Sequence, residues 1–116
     1  MKFMPFFILL LMVAACTKKA PSANEMTQDQ LIARGKSIYQ MNCIACHNDD
    51  ATVDGSLGPA VAGSTKELIE ARVMKAEYPA GYTPKRNTKL MVALPQLEKE
   101  IPALAAYLGS LTGAKK

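Results

Sequence analysis

Hydrophobic positions recur at helical spacing in three segments, and this spacing predicts three amphipathic α-helices. The members of the three apolar faces are, in chain order, Leu31, Gly35, Ile38 and Tyr39; then Leu68, Ile69, Val73 and Ala76; and finally Leu97, Ile101, Leu104, Tyr107, Leu108 and Leu111. No segment after residue 16 shows the alternation that is typical of a half-buried strand. The pattern therefore predicts an all-α fold.

Capping residues predict where the first two helices begin. Thr27 and Gln30 match a capping box, and the helix that they open is expected to run to about Asn42. Residues 64–67 match a second capping box, which opens a short helix over residues 65–76. Because the residue before a proline disfavours helical backbone, Pro79 is expected to end that helix.

The boundaries of the third helix are set by proline and glycine. Pro102 is tolerated only in the first turn of a helix, so the regular helix is expected to start near Lys99. Gly109 or Gly113 is expected to stop it. Residues 113–116 are then a short tail.

The N-terminus has the regions of a secretory signal. Lys2 supplies the positive start, residues 3–11 are almost wholly apolar, and small residues precede Cys16. Residues 13–16, with the sequence VAAC, resemble a bacterial lipobox. This resemblance implies a signal peptide over residues 1–15 and a lipidated Cys16. Residues 16–26 then form a lipidated N-terminus and polar tether, which places the protein on a bacterial membrane, facing the periplasm. The alternative is an ordinary signal that leaves Cys16 as a free thiol.

Composition narrows the classes of function. The 116 residues carry a formal net charge of +4, with three cysteines and one histidine, and their length suggests one folded domain. The sequence lacks an arginine-rich run, so no nucleic-acid partner is expected. The cations of the middle region are candidates for docking a redox partner, although they equally fit a solvated rim: Lys75, Lys85, Arg86 and Lys89.

The chemistry of the chain is concentrated in residues 43–47, with the sequence CIACH. Two thiols separated by two residues and followed by histidine indicate covalent attachment of a c-type haem. Cys43 and Cys46 would form the two thioethers, and His47 would be the proximal iron ligand. A zinc site lacks a fourth ligand. A thiol redox protein remains an alternative, although such proteins use a βαβ context.

The sequence resembles class I c-type cytochromes over nearly all of the chain after the tether. The resemblance begins at residues 34–39, continues through residues 43–47 and extends to the C-terminal segment 101–108. It implies one covalent haem c in a domain over residues 27–112, with the N-terminal and C-terminal helices crossing around it. Gly35 would then allow a close contact with the region of Leu104 and Tyr107.

The same resemblance implies further site residues. Residues 58–63 look like the Gly-Pro-x-Leu-x-Gly segment of the family, in which the carbonyl of the proline, here Pro59, accepts a hydrogen bond from the proximal histidine. Asp49, Asp50 and Asp54 lack the spacing of a calcium loop and are interpreted as solvated.

A sixth iron ligand is expected to be a methionine, because the chain has a single histidine. Of the candidates Met26, Met41, Met74 and Met91, the topology of the family favours Met91. Met74 remains an alternative, because Val92 follows Met91 where the family often has proline.

The sequence thus predicts a membrane-anchored, monomeric monohaem cytochrome that carries single electrons between transient redox partners and is not an enzyme. The alternatives are a haem-based binder or sensor of small ligands, and the subunit through which electrons enter a larger oxidoreductase.

Overall fold

Three α-helices make up the framework of the protein. The computed structural model describes residues 18–114, which contain no strand, so the prediction of an all-α fold is confirmed. The α-helices are α1 (Gln28–Asn42), α2 (Lys66–Lys75) and α3 (Ile101–Ser110), and 3₁₀ helices span Ala23–Glu25, Pro95–Glu100 and Leu111–Ala114.

The predicted signal peptide and Cys16 lie outside the described residues. Within the described residues, no helix is long and apolar enough to cross a membrane.

The predicted capping box at the start of α1 is confirmed. The hydroxyl of Thr27 accepts a hydrogen bond from the backbone N–H of Gln30 (3.3 Å), and the Thr27 N–H donates to the Gln30 side-chain oxygen (2.8 Å). This reciprocal pair satisfies two N–H groups that a helix start leaves without partners. The helix ends at Asn42, as expected, and therefore delivers residues 43–47 at its C-terminal end.

The predicted start of α2 is wrong by one residue. The N-cap is Thr65, whose hydroxyl accepts a hydrogen bond from the N–H of Leu68 at 3.2 Å. The hydroxyl of Ser64 instead donates to the carbonyl of Val61 at 2.6 Å, inside the preceding turn. A serine and a threonine in succession offer two cap positions, and the turn before the helix decides between them.

The predicted end of α2 is also corrected. The helix stops at Lys75, because Ala76 adopts the left-handed conformation, with φ of 55°. This conformation turns the backbone back towards the end of the helix, so the N–H of Glu77 donates to the carbonyl of Ala71 at 3.1 Å. The helix therefore ends by a turn at its own C-terminus, before Pro79 has any influence.

The third helix is preceded by a tighter turn than expected. Residues Pro95–Glu100 form a 3₁₀ helix, so α3 begins at Ile101, two residues later than predicted. Pro102 lies in its first turn, as predicted. Neither glycine stops α3. Gly109 lies inside the helix, which passes at Leu111 into a 3₁₀ turn with ordinary right-handed backbone.

Gly35 is the point of closest approach between α1 and α3. A methyl carbon at this position would lie 2.6 Å from the carbonyl carbon of Ala103 and 2.7 Å from Cβ of Tyr107. The predicted contact of the first and last helices is therefore confirmed, and it reaches the backbone of Ala103 as well as Tyr107. The two helices enclose the centre of the core, which includes Tyr39, Ile69, Val73, Leu97, Ile101, Leu104 and Leu108.

Candidate functional site

The CIACH segment continues the end of α1 as a tight turn. Cys43 is the C-cap of the helix, and its N–H donates to the carbonyl of Tyr39 at 2.8 Å. The N–H of His47 then returns to the carbonyl of Cys43 at 2.9 Å. Because α1 is anchored against α3, the turn holds both cysteines and the histidine in fixed relation to the core.

The imidazole of His47 is held by a hydrogen bond. Its Nδ1 lies 2.7 Å from the carbonyl oxygen of Pro59. A carbonyl can only accept, so Nδ1 carries the proton and Nε2 has a free lone pair. This is the tautomer that a metal-binding histidine needs at Nε2.

Gly58 fixes the position of the ring by close packing. A methyl carbon at Gly58 would lie 2.6 Å from both Cε1 and Nδ1 of His47. Residue 58 must therefore be glycine for the ring to occupy its place beside Pro59. The sequence pattern contained this glycine but not its role, because the contact depends on how the loop returns to the histidine.

The two thiols differ in exposure. Cys43 is half-buried, whereas Cys46 is exposed. Burial, followed by the nearby Cys46 thiolate, raises the pKa of the Cys43 thiol to about 11. Thiols of disulfide oxidoreductases have lowered pKa values instead. The environment of Cys43 therefore disfavours the alternative of a thiol redox protein.

Cys43, Cys46 and His47 open onto an apolar cavity of about 240 Å³. Its walls come from all three helices and from the loops between them. The apolar residues that line it include Leu57, Val61, Leu68, Ile69, Val73, Leu90, Met91, Val92, Leu94, Leu104 and Leu108. Such a lining fits a flat apolar ring system better than a polar metabolite.

The same cavity also has cationic and aromatic residues in its lining. The guanidinium of Arg72 lies 4.1 Å from the ring centroid of Tyr78, which stacks on Tyr82 with centroids 5.4 Å apart. Lys85 and Arg86 line the cavity as well. The lining therefore combines apolar walls with three cationic side chains.

Met91 is placed in the cavity lining by the segment that precedes α3. The N–H of Leu94 donates to the carbonyl of Val73 at 2.6 Å, which ties this segment to α2. Met91 packs against the core and lines the cavity with His47. Met74 also packs against the core, but it lies outside the cavity lining as the structure describes it.

Three polar residues make contacts that the sequence did not indicate. Lys85 donates to the carbonyl of Ala60 at 2.8 Å, and Arg86 donates to that of Gly55 at 3.1 Å. Their role as candidate docking charges, with Lys75 and Lys89, stays a prediction. Asp54 was interpreted as solvated. Its carboxylate is indeed exposed, but it accepts a hydrogen bond from the N–H of Ala60 at 2.7 Å. The partners of Lys85 and Arg86 are 25 and 31 residues away, and Ala60 is 6 residues from Asp54, so local sequence spacing could not indicate these three contacts.

A comparison with protein families decides the identity of this site. A family model described as Cytochrome c matches residues 32–112, which include the CIACH segment, the cavity walls, most of α1 and all of α3. A comparison with curated proteins finds no match.

The chain belongs to the cytochrome c family. Members of this family bind haem c covalently and are typically electron carriers rather than enzymes, so the protein is a haem-based electron carrier with transient redox partners. The residues present fit the cofactor: Cys43 and Cys46 form the attachment pair, His47 presents Nε2, and the cavity is apolar with cations in its lining.

Proposed function

We propose that the protein is a membrane-anchored monohaem cytochrome c, over residues 27–112, that carries single electrons with His47 and Met91 as axial ligands. The observation that carries the proposal is that His47 and Met91 line one cavity together with Cys43 and Cys46. Two protein ligands leave no open position on the iron, which suits electron transfer and opposes substrate turnover.

The side chains of the site have separate tasks in this function. The haem iron supplies a one-electron couple when it is bound. Cys43 and Cys46 would hold the ring covalently, and the Pro59 carbonyl keeps the proton of His47 on Nδ1 and raises the basicity of Nε2. Around a bound haem, the apolar walls would limit access of water and so disfavour additional charge on the iron.

Met91 is favoured over Met74 as the sixth ligand by its position. Both methionines pack against the core, but Met91 contributes to the cavity lining and Met74 does not. A thioether on the iron raises the potential relative to a second histidine, so we expect a comparatively oxidising carrier.

Replacement of Met91 tests this assignment. In Met91→Ala we expect the ferric holoprotein to lose the sulfur-to-iron charge-transfer absorption, and the ferrous form to bind carbon monoxide readily. Met74→Ala is the matched control, because it removes an equally large and partly buried side chain that packs against the core; it should lose some stability but keep the charge-transfer absorption.

The two variants separate the competing ligands. An unchanged ferric spectrum in Met91→Ala, together with loss of the band in Met74→Ala, would transfer the assignment to Met74. Ready binding of carbon monoxide by the unaltered protein would instead favour a haem-based sensor over a carrier.

The anchor is proposed from the sequence of the N-terminus. Cys16 follows a signal-like segment, and a tether of residues 16–26 would keep a monomeric cytochrome domain close to the periplasmic face of a membrane. We expect the full chain, expressed in a bacterium, to sediment with membranes and to be released by detergent. Cys16→Ser should abolish acylation, measured by mass spectrometry. If both proteins are equally soluble, the anchor is wrong.

A further inference from the structure

The loop before Pro59 and the segment that carries Met91 meet at Asp54. One carboxylate oxygen of Asp54 accepts a hydrogen bond from the N–H of Ala60 at 2.7 Å. The other lies 3.6 Å from Nη2 of Arg86, which also donates to the carbonyl of Gly55 at 3.1 Å. We name Asp54, Ala60 and Arg86 with these contacts the Asp54 bridge.

One arm of the bridge reaches the proximal histidine through a single peptide unit. The carbonyl of Pro59, which accepts the His47 hydrogen bond, and the N–H of Ala60, which donates to Asp54, belong to the same planar peptide. Holding one end of this plane fixes the orientation of the other. A carboxylate at the N–H end also polarises the peptide, which strengthens the carbonyl as an acceptor.

The other arm reaches the distal side. Arg86 lies five residues before Met91, in the connection between α2 and the 3₁₀ helix Pro95–Glu100. A second cation of this connection, Lys85, donates to the carbonyl of Ala60 at 2.8 Å. The connection is therefore joined to the Asp54–Ala60 loop by two neighbouring side chains.

We propose that Asp54 is a positioning residue for both axial ligands: it orients His47 through the Pro59–Ala60 peptide and holds the Met91 segment through Arg86. The proposal rests on the assignment of His47 and Met91 in the proposed function. Hydrogen bonding to Ala60 and the charges of Arg86 and Lys85 lower the pKa of Asp54, so its carboxylate is ionised at neutral pH.

Three substitutions separate the two arms. Asp54→Asn keeps an oxygen that can accept from Ala60 but removes the charge that attracts Arg86. Asp54→Ala removes both arms, and Arg86→Gln breaks the distal arm from its other end. The controls are Asp50→Asn and Asp50→Ala, because Asp50 is an exposed carboxylate in the same loop whose side chain bonds only within it, to Thr52.

The distal arm is tested by the rate at which the ferrous holoprotein binds carbon monoxide, because carbon monoxide must displace Met91 from the iron. We expect Asp54→Asn and Arg86→Gln each to raise this rate about twofold to fivefold relative to Asp50→Asn, the range of an exposed ion pair. The double variant should match Arg86→Gln alone, because Arg86→Gln removes the contact with Asp54 as well as the bond to the Gly55 carbonyl and leaves Asp54→Asn nothing further to break. Added salt should raise the rate of the unaltered protein and leave Arg86→Gln unchanged.

The proximal arm is tested by the NMR chemical shift of the His47 Nδ1 proton in the ferrous holoprotein. Asp54→Ala should shift it relative to Asp50→Ala, and Asp54→Asn should shift it less. Rates and resonances that match those of the Asp50 controls would overturn the bridge.

The failure of the bridge is distinguishable from failure of the ligand assignment. If Met91→Ala leaves the carbon monoxide rate unchanged, Met91 is not the ligand and the proposed function falls. If Met91→Ala raises the rate while the Asp54 and Arg86 variants do not, the bridge alone is wrong.

Discussion

At the scale of single residues, Arg34 and Glu100 show how two side chains join distant parts of the chain. Nε of Arg34 donates to one carboxylate oxygen of Glu100 at 2.6 Å, and Nη2 donates to the other. The side chain of Glu100 is only 16% exposed, and that of Arg34 is 40% exposed. Paired in this bidentate way, Arg34 lowers the pKa of Glu100 below its ordinary value of 4.5.

The ion pair makes stability depend on pH in a defined direction. The pKa of Glu100 is lower in the folded protein than in the unfolded chain, so ionisation of Glu100 increases the free energy of unfolding at higher pH. This contribution is lost as the pH falls below about 4.5 and through the pKa of the folded state. We expect Glu100→Gln to lower the free energy of unfolding by about 1 kcal/mol at neutral pH, a value reduced by the exposure of Arg34. Urea denaturation over this pH range should show the difference disappearing in acid.

The matched control for this prediction is Glu98→Gln, which neutralises an exposed carboxylate in the same 3₁₀ helix. A difference between Glu100→Gln and Glu98→Gln that stays constant with pH would contradict the linkage.

At the scale of helices, α1 and α3 are held in register by the absence of a side chain at Gly35. The first contact that a larger residue would meet is the backbone of Ala103, which cannot rotate away as a side chain can. The interface also brings Tyr39 and Tyr107 together, with ring centroids 5.7 Å apart. Because Cys43 is the C-cap of α1, any shift of this helix moves the haem attachment site.

A pair of glycine substitutions tests this packing. Alanine favours helix over glycine at both Gly35 and Gly109, so propensity alone predicts stabilisation at each site. We expect Gly35→Ala to destabilise the protein by about 1–3 kcal/mol through overpacking. Gly109→Ala, which would meet nothing within 4 Å, should be neutral or stabilising by up to about 1 kcal/mol. Thermal unfolding measures both; equal effects would contradict the close approach.

At the scale of the whole molecule, the haem is expected to complete the core. Three large apolar side chains that line the cavity are exposed in the protein alone: Leu57, Leu90 and Val92. A porphyrin would cover them, and burial of apolar surface is the main source of folding free energy in so small a domain.

Removal of the haem should therefore weaken the entire fold. We expect a Cys43→Ala/Cys46→Ala variant without haem to unfold over a broad range of urea, with reduced helical circular dichroism. Ile44→Ala is the control, since it alters an exposed side chain between the cysteines and leaves both thiols in place. A haem-free variant as cooperative and stable as this control would contradict a structural role for the cofactor.

Much of this protein was determined by local sequence. Helical spacing predicted the three helices, the Thr27 capping box predicted the start of α1, and the CIACH segment predicted the covalent haem. Each of these depends on residues within a few positions of one another. The family resemblance predicted the hydrogen bond between Pro59 and His47, and the structure shows it at 2.7 Å.

Only the tertiary structure decided which of two adjacent hydroxyls caps α2, where that helix ends, and what Asp54, Gly58 and Arg86 contact. These outcomes depend on partners brought together by the loops, such as Arg86 and Gly55, which are 31 residues apart. Hydrogen bonds and packing act at distances of a few ångströms, and sequence spacing does not reveal such neighbours. The haem site therefore follows from a short motif, whereas the support around its ligands follows from the fold.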